Sequence, residues 1–412
     1  MKQAKSEPDF TKISKKYFGV SRNVFFLGWV SFLTDVSSEM VFNVFPLFLS
    51  HVLGVGATFI GVIEGLGDSA ATVLKVVSGW ASDKLGQRKG LTTFGYILST
   101  VAKPFLLLAT SGVAALAIRF FERAGKGIRT STRDALVADS TTPETMGRGF
   151  GFHRALDTAG AVVGIAIAAA IVYFMQGWEF FLEPSTFRWL VIISIIPAVL
   201  AVLVLIFFVH EARASRPKRE EIGAAATEGG FDRRFKIFLA IMVLFTLGNS
   251  ADVFLVLRAS DIGLSPPHIL LMFIPLTLVY AATSYPFGRL SDRIGRKRVI
   301  IAGWGIYVLT YLGFALVSPT WHVIYVILLF AIYGIYYGAA EGVTRAFVAD
   351  MVPKEKRGMA YGLYHGSIGL SLLLASVTAG VLWEAIDPAA TFFFGAAMAG
   401  MALVGFMLFI KE

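Results

Sequence analysis

Two stretches of the sequence decide the fold: GWASDKLGQRK at residues 79–89 and GRLSDRIGRKR at residues 288–298. Each has a glycine, an aspartate four residues later, a basic residue, a second glycine and then more basic residues. The second stretch lies 209 positions after the first in a chain of 412 residues. This spacing predicts two related halves.

Shorter matches support the repeat. At the same offset, Asn43-Val44-Phe45 aligns with Asp252-Val253-Phe254, and Val137-Ala138-Asp139 recurs 211 positions later as Val348-Ala349-Asp350. An even number of membrane spans in each half would give both halves the same orientation. Parallel repeats of this kind are typical of carriers whose two halves rock around a site at the membrane midplane.

The composition indicates a membrane protein. Hydrophobic residues make up 56% of the chain and charged residues only 16%, whereas soluble domains carry about 25% charged residues. A helix of roughly 20 apolar residues crosses the hydrocarbon layer. We therefore predict an all-α membrane protein with twelve transmembrane helices in two pseudo-symmetric six-helix bundles. The predicted spans are residues 23–50, 58–81, 91–110, 112–138, 150–175, 187–209, 236–258, 267–288, 298–317, 322–348, 359–383 and 389–410.

The basic residues predict the orientation. Nearly all of them lie in alternate loops, such as those around Arg88, Arg148 and Arg296, whereas the opposite loops offer only Arg188 and Arg258. By the positive-inside rule, both termini are cytoplasmic. The predicted organisation is a cytoplasmic segment 1–22, a bundle 23–209, a cytoplasmic linker 210–235 and a bundle 236–412. We expect the protein in a bacterial inner membrane, as a monomer.

Several classes of partner are excluded at this stage. The net charge of +9 comes from these short loops, so we expect no nucleic-acid partner. The chain has no cysteine, which excludes disulfides and thiolate metal sites. We expect no cofactor and no bound metal. The expected partners are the lipid bilayer, a small-molecule substrate and protons.

The repeated loop, Gly79-x-x-x-Asp83-basic-x-Gly86 and its copy at Gly288, resembles the signature of the major facilitator superfamily. The resemblance covers the whole chain through its twelve-span layout. It implies a secondary active transporter rather than an enzyme.

The resemblance also implies a cytoplasmic gate. In it, Asp83 would meet the start of span eleven and a loop arginine would meet Asp139. The sequence departs from the family at Gln87, where a basic residue is usual, so Arg88 is the expected substitute. The candidate gate residues are Gly79, Asp83, Gly86, Arg88, Asp139, Gly288, Asp292, Arg293, Gly295, Arg296 and Asp350.

Ionisable residues are concentrated inside the first-half spans. Each costs roughly 2.5–3.5 kcal/mol in a bilayer on insertion scales, so such side chains usually face a cavity or a partner. Arg119, Arg123, Lys126, Arg129 and Arg133 fall within about a third of one helix circumference and form a cationic stripe. The candidate substrate and proton-coupling residues are Asp35, Glu39, Glu64, Asp68, Arg119, Glu122, Arg123, Lys126 and Asp157.

The second half is mostly neutral at the matching positions. Its candidate substrate contacts are Asn249, Asp252, Tyr337, Glu341 and His365. This asymmetry predicts charge recognition by the first half and shape recognition by the second. His51 and His268 are expected at the outer surface, exposed to solvent.

Two interpretations of the first-half charges remain open. In one, the acids of spans one, two and five neutralise the bases of span four, and the network is structural. In the other, some bases attract an anionic group while a carboxylate carries the proton. The second interpretation favours Asp35, Glu39, Arg119, Arg123 and Lys126, which lie well inside their spans.

The predicted function is proton-coupled transport of a small anionic or zwitterionic organic solute by alternating access, with a slight preference for export. That preference comes from Gly160 and Gly164, which match part of the family's drug/proton antiporter motif. The alternatives are a drug/proton antiporter for lipophilic compounds and a divalent-cation carrier. From another class, a membrane-embedded enzyme is considered, although no hydrolase or phosphate-loop motif is present.

Overall fold

The structure is a computed structural model that describes residues 16–142, 145–211, 231–353 and 356–410. Most of the predicted N-terminal segment and linker, residues 1–15 and 212–230, lies outside this range. The regular secondary structure of the described residues is helical except for a small antiparallel hairpin, Lys16–Tyr17 paired with Val20–Ser21.

The helices are named here in chain order. They are α1 Arg22–Val52, α2 Ala57–Leu85, α3 Arg88–Leu108, α4 Gly112–Asp139, α5 Met146–Gln176, α6 Pro184–Phe208, α7 Arg233–Asp261, α8 Pro266–Ile294, α9 Arg296–Leu316, α10 Val323–Met351, α11 Arg357–Ala385 and α12 Pro388–Phe409. Three are irregular. α1 ends in a π-helical turn, Phe48–Val52, and α3 ends in a 3₁₀ turn, Lys103–Leu108. α7 breaks between Gly248 and Val253.

Ten of these helices are long and apolar enough to cross a membrane. The other two, α2 and α4, have 29 and 28 residues. At 1.5 Å per residue each is about 40 Å long, which is enough to span. Both carry ionisable side chains along their length, which distinguishes them from the ten. Length and apolarity therefore confirm the predicted spans for ten helices. That α2 and α4 also span the membrane stays a prediction.

Helix packing repeats along the chain. In the first half, α1 packs against α5 and α6, and α4 packs against α2 and α3. Six helices later the same pairs recur: α7 with α11 and α12, and α10 with α8 and α9. Two further pairs, α2 with α11 and α5 with α8, connect the first six helices with the last six.

The α2–α11 contact is close because glycine removes side chains from it. A Cβ at Gly61 would lie 2.1 Å from the carbonyl oxygen of Ser376, and one at Gly380 would lie 2.5 Å from Thr58 Cα. Ser69 donates a hydrogen bond to the carbonyl of Gly369 further along the same contact. Backbones can approach this closely only where no Cβ intervenes.

Polar contacts define two ends of the molecule. At one end, Asn23 exchanges hydrogen bonds with the backbone of His210, and Glu211 accepts from the backbone N–H groups of Arg88 and Lys89 at 2.9 Å. This end carries both repeated loops and is called the basic face. The other end, where α1 meets the segment before α6, is called the opposite face.

Candidate functional site

A buried ion network joins α2 to α4. The Arg119 guanidinium binds Glu64 through two hydrogen bonds of 2.9 and 2.8 Å and Glu122 through a third of 2.9 Å. All three side chains are at least 94% buried. Arg119 also lies 4.1 Å from the centre of the Phe42 ring. Its charge is thus fully neutralised, as the structural interpretation predicts, and removing one partner would leave an uncompensated buried charge.

The network continues one turn along both helices. Arg123 lies 3.2 Å from Asp68 and 3.3 Å from Glu64. Arg123 Nε is buried and has no hydrogen-bond partner among the described residues. Further along the stripe, Arg129 donates to Ser99 and lies over the Tyr96 ring, and Arg133 pairs with Asp134 at 2.9 Å.

Lys126 differs from the rest of the stripe. Its side chain is exposed, and within the described residues it makes no hydrogen bond or ion pair. Its charge is close enough to Asp35 and Glu39 of α1 and to Glu122 to interact electrostatically with them. Lys126 is therefore the cation of this stripe that is available to a ligand.

Asp35 on α1 and Asp157 on α5 form a carboxyl pair. Their side chains are within hydrogen-bonding reach of each other. Because neither oxygen of a carboxylate carries a hydrogen, such a bond requires a proton on one of the two groups. Asp157 also accepts from Ser31 at 2.5 Å and pairs with Arg154 at 3.0 Å. Two carboxyl groups that share one proton are a typical proton-binding arrangement.

Glu39 lies beside this pair without joining it, and its carboxylate accepts from Asn43 at 2.8 Å. Lys103, at the end of α3, is buried and donates to Ser37 at 2.5 Å and to Ser38 at 3.1 Å. The α1 acids therefore lie near two lysines, Lys103 and Lys126.

In the second half, the break in α7 presents polar groups. Asp252 accepts hydrogen bonds from Tyr333 at 2.9 Å and from Tyr337 at 3.1 and 2.9 Å, and Asn249 donates to Tyr336 at 3.2 Å. Broken helices inside a membrane are tolerated where the freed backbone groups find other partners. Here Tyr307 donates to the carbonyl of Gly248, and Ala251 N–H donates to Ser376.

Charges of the two halves interact near the α7 break. Asp252 is close enough to interact with Asp68 and Arg123 of the first half. Nearer the basic face, Glu341 accepts from Tyr280 and pairs with Arg345. His365 makes ring contacts with Tyr361 and Tyr364. The five second-half candidates therefore fall into two groups, one at the α7 break and one nearer the basic face.

The repeated loops fold alike. Arg88 bridges Asp83 at 2.8 Å and Asp139 at 2.5 Å, and Arg296 likewise contacts Asp292 at 3.2 Å and Asp350. The structure thus places Arg88 on Asp139, which is the pairing expected despite Gln87. Asp83 is 69% exposed and its described partner is Arg88, not the start of α11.

The other loop positions have local explanations. Gly86 and Gly295 adopt φ angles of +66° and +94°, which L side chains rarely adopt. A Cβ at Gly79 would meet Ser131 Oγ of α4 at 2.6 Å, whereas Gly288 has open space around it. Arg293 is exposed.

Comparisons with known proteins decide the family. The sequence model of the Major Facilitator Superfamily matches residues 27–257 and 237–412. A protein described as an uncharacterized MFS-type transporter of Methanocaldococcus jannaschii is 35% identical over 400 residues, 96% of each chain. The chain belongs to the major facilitator superfamily. The resemblance of the repeated loops is thereby confirmed, and the chain is a secondary transporter of a membrane.

Solved structures show the same fold. The nucleoside transporter NupG superposes with a TM-score of 0.76 at 14% identity and covers 94% of this chain and 99% of its own. The human organic anion transporter MFSD10 gives a TM-score of 0.61 at 17% identity, covering 93% and 99%. At these identities the likeness establishes the fold of this major facilitator and leaves its substrate open.

The opposite face of this major facilitator is held by contacts that sequence reasoning missed. His51 accepts from the Leu182 N–H at 3.1 Å and lies 3.2 Å from Ser260 of α7, and His268 stacks on Trp178 at 4.3 Å. Both histidines therefore make specific contacts, and the expectation that they are simply exposed to solvent is wrong. The His51–Ser260 and His268–Trp178 contacts each join the first half to the second.

Glu384, at the end of α11, makes another such contact. It accepts a 2.5 Å hydrogen bond from the Thr58 hydroxyl and a 3.2 Å bond from the Thr58 N–H at the start of α2. A carboxylate is stabilised at a helix N-terminus. A Cβ at Gly56 would lie 2.1 Å from this carboxylate. The sequence offered one signal for this contact, the acid at the end of span eleven. Glu384 lies at the start of α2 in the way that Asp83 was expected to lie at the start of α11.

Proposed function

We propose that this protein is a proton-coupled secondary transporter that moves a small anionic or zwitterionic organic solute by alternating access. One observation carries the proposal: Lys126, a cation without an ion pair among the described residues, lies close to Asp35, which in turn lies within hydrogen-bonding reach of Asp157. A ligand anion at Lys126 and a proton on the carboxyl pair would therefore influence each other directly.

The proposed architecture is twelve spans in two six-helix bundles. The recurrence of helix pairs six helices later supports it. The charges of α2 and α4 do not argue against spanning, because Glu64, Arg119 and Glu122 neutralise one another inside the protein. The basic face is the proposed cytoplasmic side of a bacterial inner membrane.

The contacts support a proton role for the Asp35–Asp157 pair. Asp157 is held by Ser31 and Arg154, whereas Asp35 is close to Lys126 and Glu39. Arrival of an anion at Lys126 would reduce the positive potential that favours ionised Asp35. Binding of the anion would thus favour proton uptake by the pair, which is the sign that couples the two ligands.

The distribution of contacts between the halves supports alternating access. On the opposite face, Glu384, His51 and His268 join the halves. Towards the basic face, a Cβ at Gly362 or Gly366 of α11 would have no neighbour within 4 Å. These contacts support a carrier that is closed on the opposite face and open on the basic face, and the proposed outward-open state would be open on the opposite face and closed on the basic face.

The direction of transport is proposed as export, on the partial antiporter motif alone. Gly160 and Gly164 let α5 approach the backbone of α1, with Cβ positions 2.4 and 2.6 Å from the carbonyls of Phe32 and Val36. A lipophilic drug/proton antiporter is the second candidate, favoured by the tyrosine cluster around Asp252. The described residues offer no group of three metal-ligating side chains for a divalent-cation carrier.

The test is an uptake screen in proteoliposomes, run with and without a proton gradient. Organic anions, zwitterions and lipophilic cations are compared at equal concentration. Accumulation of an anion or zwitterion that collapses with the gradient is expected. Accumulation of lipophilic cations alone would replace this proposal by the drug antiporter, and chemical turnover without accumulation would replace it by an enzyme.

A further inference from the structure

The α2–α11 contact ends partway along the two helices, and charged side chains follow it. The last close approach joins Thr72 to Gly369, where a Cβ on the glycine would lie 3.2 Å from Thr72 Cβ. One turn nearer the basic face, α2 carries Lys75 and α11 carries His365. Gly366, next to His365, and Gly362, nearly one turn beyond it, both have open space. The helices therefore diverge at Lys75 and His365, and this region is called the mouth.

Most charges around the mouth are paired. Three ion pairs surround it: Arg133 with Asp134 at 2.9 Å, Arg154 with Asp157 at 3.0 Å, and Arg345 with Glu341. Lys75 remains. Among the described residues its side chain makes no hydrogen bond or ion pair, and the charges that act on it are those of two of these pairs, Arg345 with Glu341 and Arg133 with Asp134.

His365 faces the same charges. It makes no hydrogen bond within the described part of the chain, and both Lys75 and Arg345 act on it electrostatically. In the mouth, the surplus cation Lys75 on α2 thus faces Arg345 on α10 and the imidazole of His365 on α11. Like charges in a partly desolvated space repel by several-fold more than in bulk water. Closing the mouth would bring these groups closer and strengthen the repulsion.

We propose that Lys75, His365 and Arg345 form an anion site at the mouth, and that the mouth closes only around an anion. The ligand is a carboxylate or phosphate group of the transported solute. It would bridge α2 to α10 and α11 by charge-assisted hydrogen bonds. The inference rests on the proposed function, because it deepens the assignment of an anionic substrate. It adds a reason why the empty carrier stays open at the basic face.

The absence of cysteine makes the mouth measurable, since one introduced cysteine is the only thiol. Gly362→Cys reports the mouth, where it is open. Ser376→Cys reports the opposite face, where Ser376 is fully buried. The rate of modification by a membrane-impermeant maleimide is measured in nanodiscs of phosphatidylcholine, a neutral lipid, so that anionic headgroups cannot occupy the site. Sodium chloride, inorganic phosphate and citrate are compared at equal ionic strength.

In chloride, Lys75→Gln should lower the labelling rate at residue 362 and raise the labelling rate at residue 376, each roughly fivefold. The reason is that the substitution removes one repulsive charge from the mouth. Lys75→Glu should change both rates more strongly, and Lys75→Arg should restore the original behaviour. Phosphate or citrate should change the two labelling rates in the same direction when position 75 is the original lysine. The same anions should change the rates of Lys75→Gln by less. The matched control is Lys84→Gln, which removes the same charge from the exposed end of α2, where Lys84 lies over Trp80.

The result that overturns the inference is equal labelling in Lys75→Gln, Lys75→Glu and the original chain. Slower labelling at residue 362 with no change at residue 376 would keep the anion site and remove alternating access. Normal anion uptake in the proteoliposome screen together with unresponsive labelling would remove the mouth site and keep the proposed function.

Discussion

The contact between Glu384 and the start of α2 should hold the carrier closed on the opposite face. We consider Glu384→Gln, which keeps the size of the side chain and removes its charge. The carboxylate accepts two hydrogen bonds from Thr58 and lies at the α2 N-terminus. Outward opening must break this contact, so the substitution should favour the outward-open state.

The magnitude follows from the environment of the carboxylate. Hydrogen bonds to charged groups contribute about 1.5–3 kcal/mol when they are buried, and a charge at an exposed helix N-terminus about 0.3–1 kcal/mol. Glu384 is exposed, so about 1 kcal/mol is the appropriate estimate, after screening by solvent. Since about 1.36 kcal/mol is tenfold, the population of the outward-open state should rise about fivefold.

The assay uses Ser376→Cys in the otherwise cysteine-free chain. While the outward-open state is the minor one, its labelling rate is proportional to the population of that state, so the fivefold change is read directly. The matched control is Glu183→Gln, an exposed acid that precedes α6 and whose carboxylate bonds only to Ser185 among the described residues. An unchanged rate in Glu384→Gln, or an equal rise in Glu183→Gln, would refute the reasoning.

Three further predictions concern the charged residues of the first half. Asp35→Asn should remove the dependence of uptake on the proton gradient, whereas Asp232→Asn, at an exposed position outside the predicted spans, should keep it; gradient-driven uptake in the first variant would exclude the carboxyl pair. Lys126→Gln should raise the KM for an anionic substrate at least tenfold with unchanged thermal stability, because Lys126 has no ion-pair partner among the described residues to leave behind. Arg119→Ala should destabilise the protein by about 3–5 kcal/mol, since Glu64 and Glu122 would stay buried and charged, and thermal unfolding in detergent would show it. Arg296→Ala, at an exposed pair, should cost under about 1 kcal/mol, and equal losses in these two variants would contradict the difference in burial.

Much of the fold could be predicted because its signals are periodic or repeated. The predicted spans fall within a few residues of the described helices, since apolar length is a local property. The loops around Arg88 and Arg296 could be placed because each repeats the other's sequence. The break in α7 was not predicted, although Asn249 and Asp252, which flank it, were selected as candidates. Its backbone groups are satisfied by Tyr307 and Ser376, which are distant in sequence.

The pairing of the α4 stripe shows what a single helix cannot reveal. Arg119 and Lys126 are two turns apart on one face and look equivalent in the sequence, yet one has carboxylate partners and the other has none among the described residues. The difference lies on α2, where Glu64 and Asp68 are spaced like Arg119 and Arg123, at a constant offset of 55 residues. One turn further, α2 presents Ala71, which packs against Gly127. Comparing the spacing of the acids on α2 with that of the bases on α4 would have distinguished the paired arginines from Lys126.

The α2–α11 pair explains how one fold can hold two exclusive closures. Each helix has 29 residues, about 43 Å, and they touch between Thr58 and Thr72. Glu384 at the end of α11 binds the start of α2, and the family resemblance implies the mirror contact, Asp83 at the end of α2 with the start of α11. If the two rigid helices tilt about the contact that lies between these ends, one acid separates from its helix start as the other acid reaches its own. In this structure Glu384 is bound, while Asp83 is exposed and contacts Arg88. We therefore expect the two acids to act as alternative locks, so that weakening either should shift the carrier towards the state that the other stabilises.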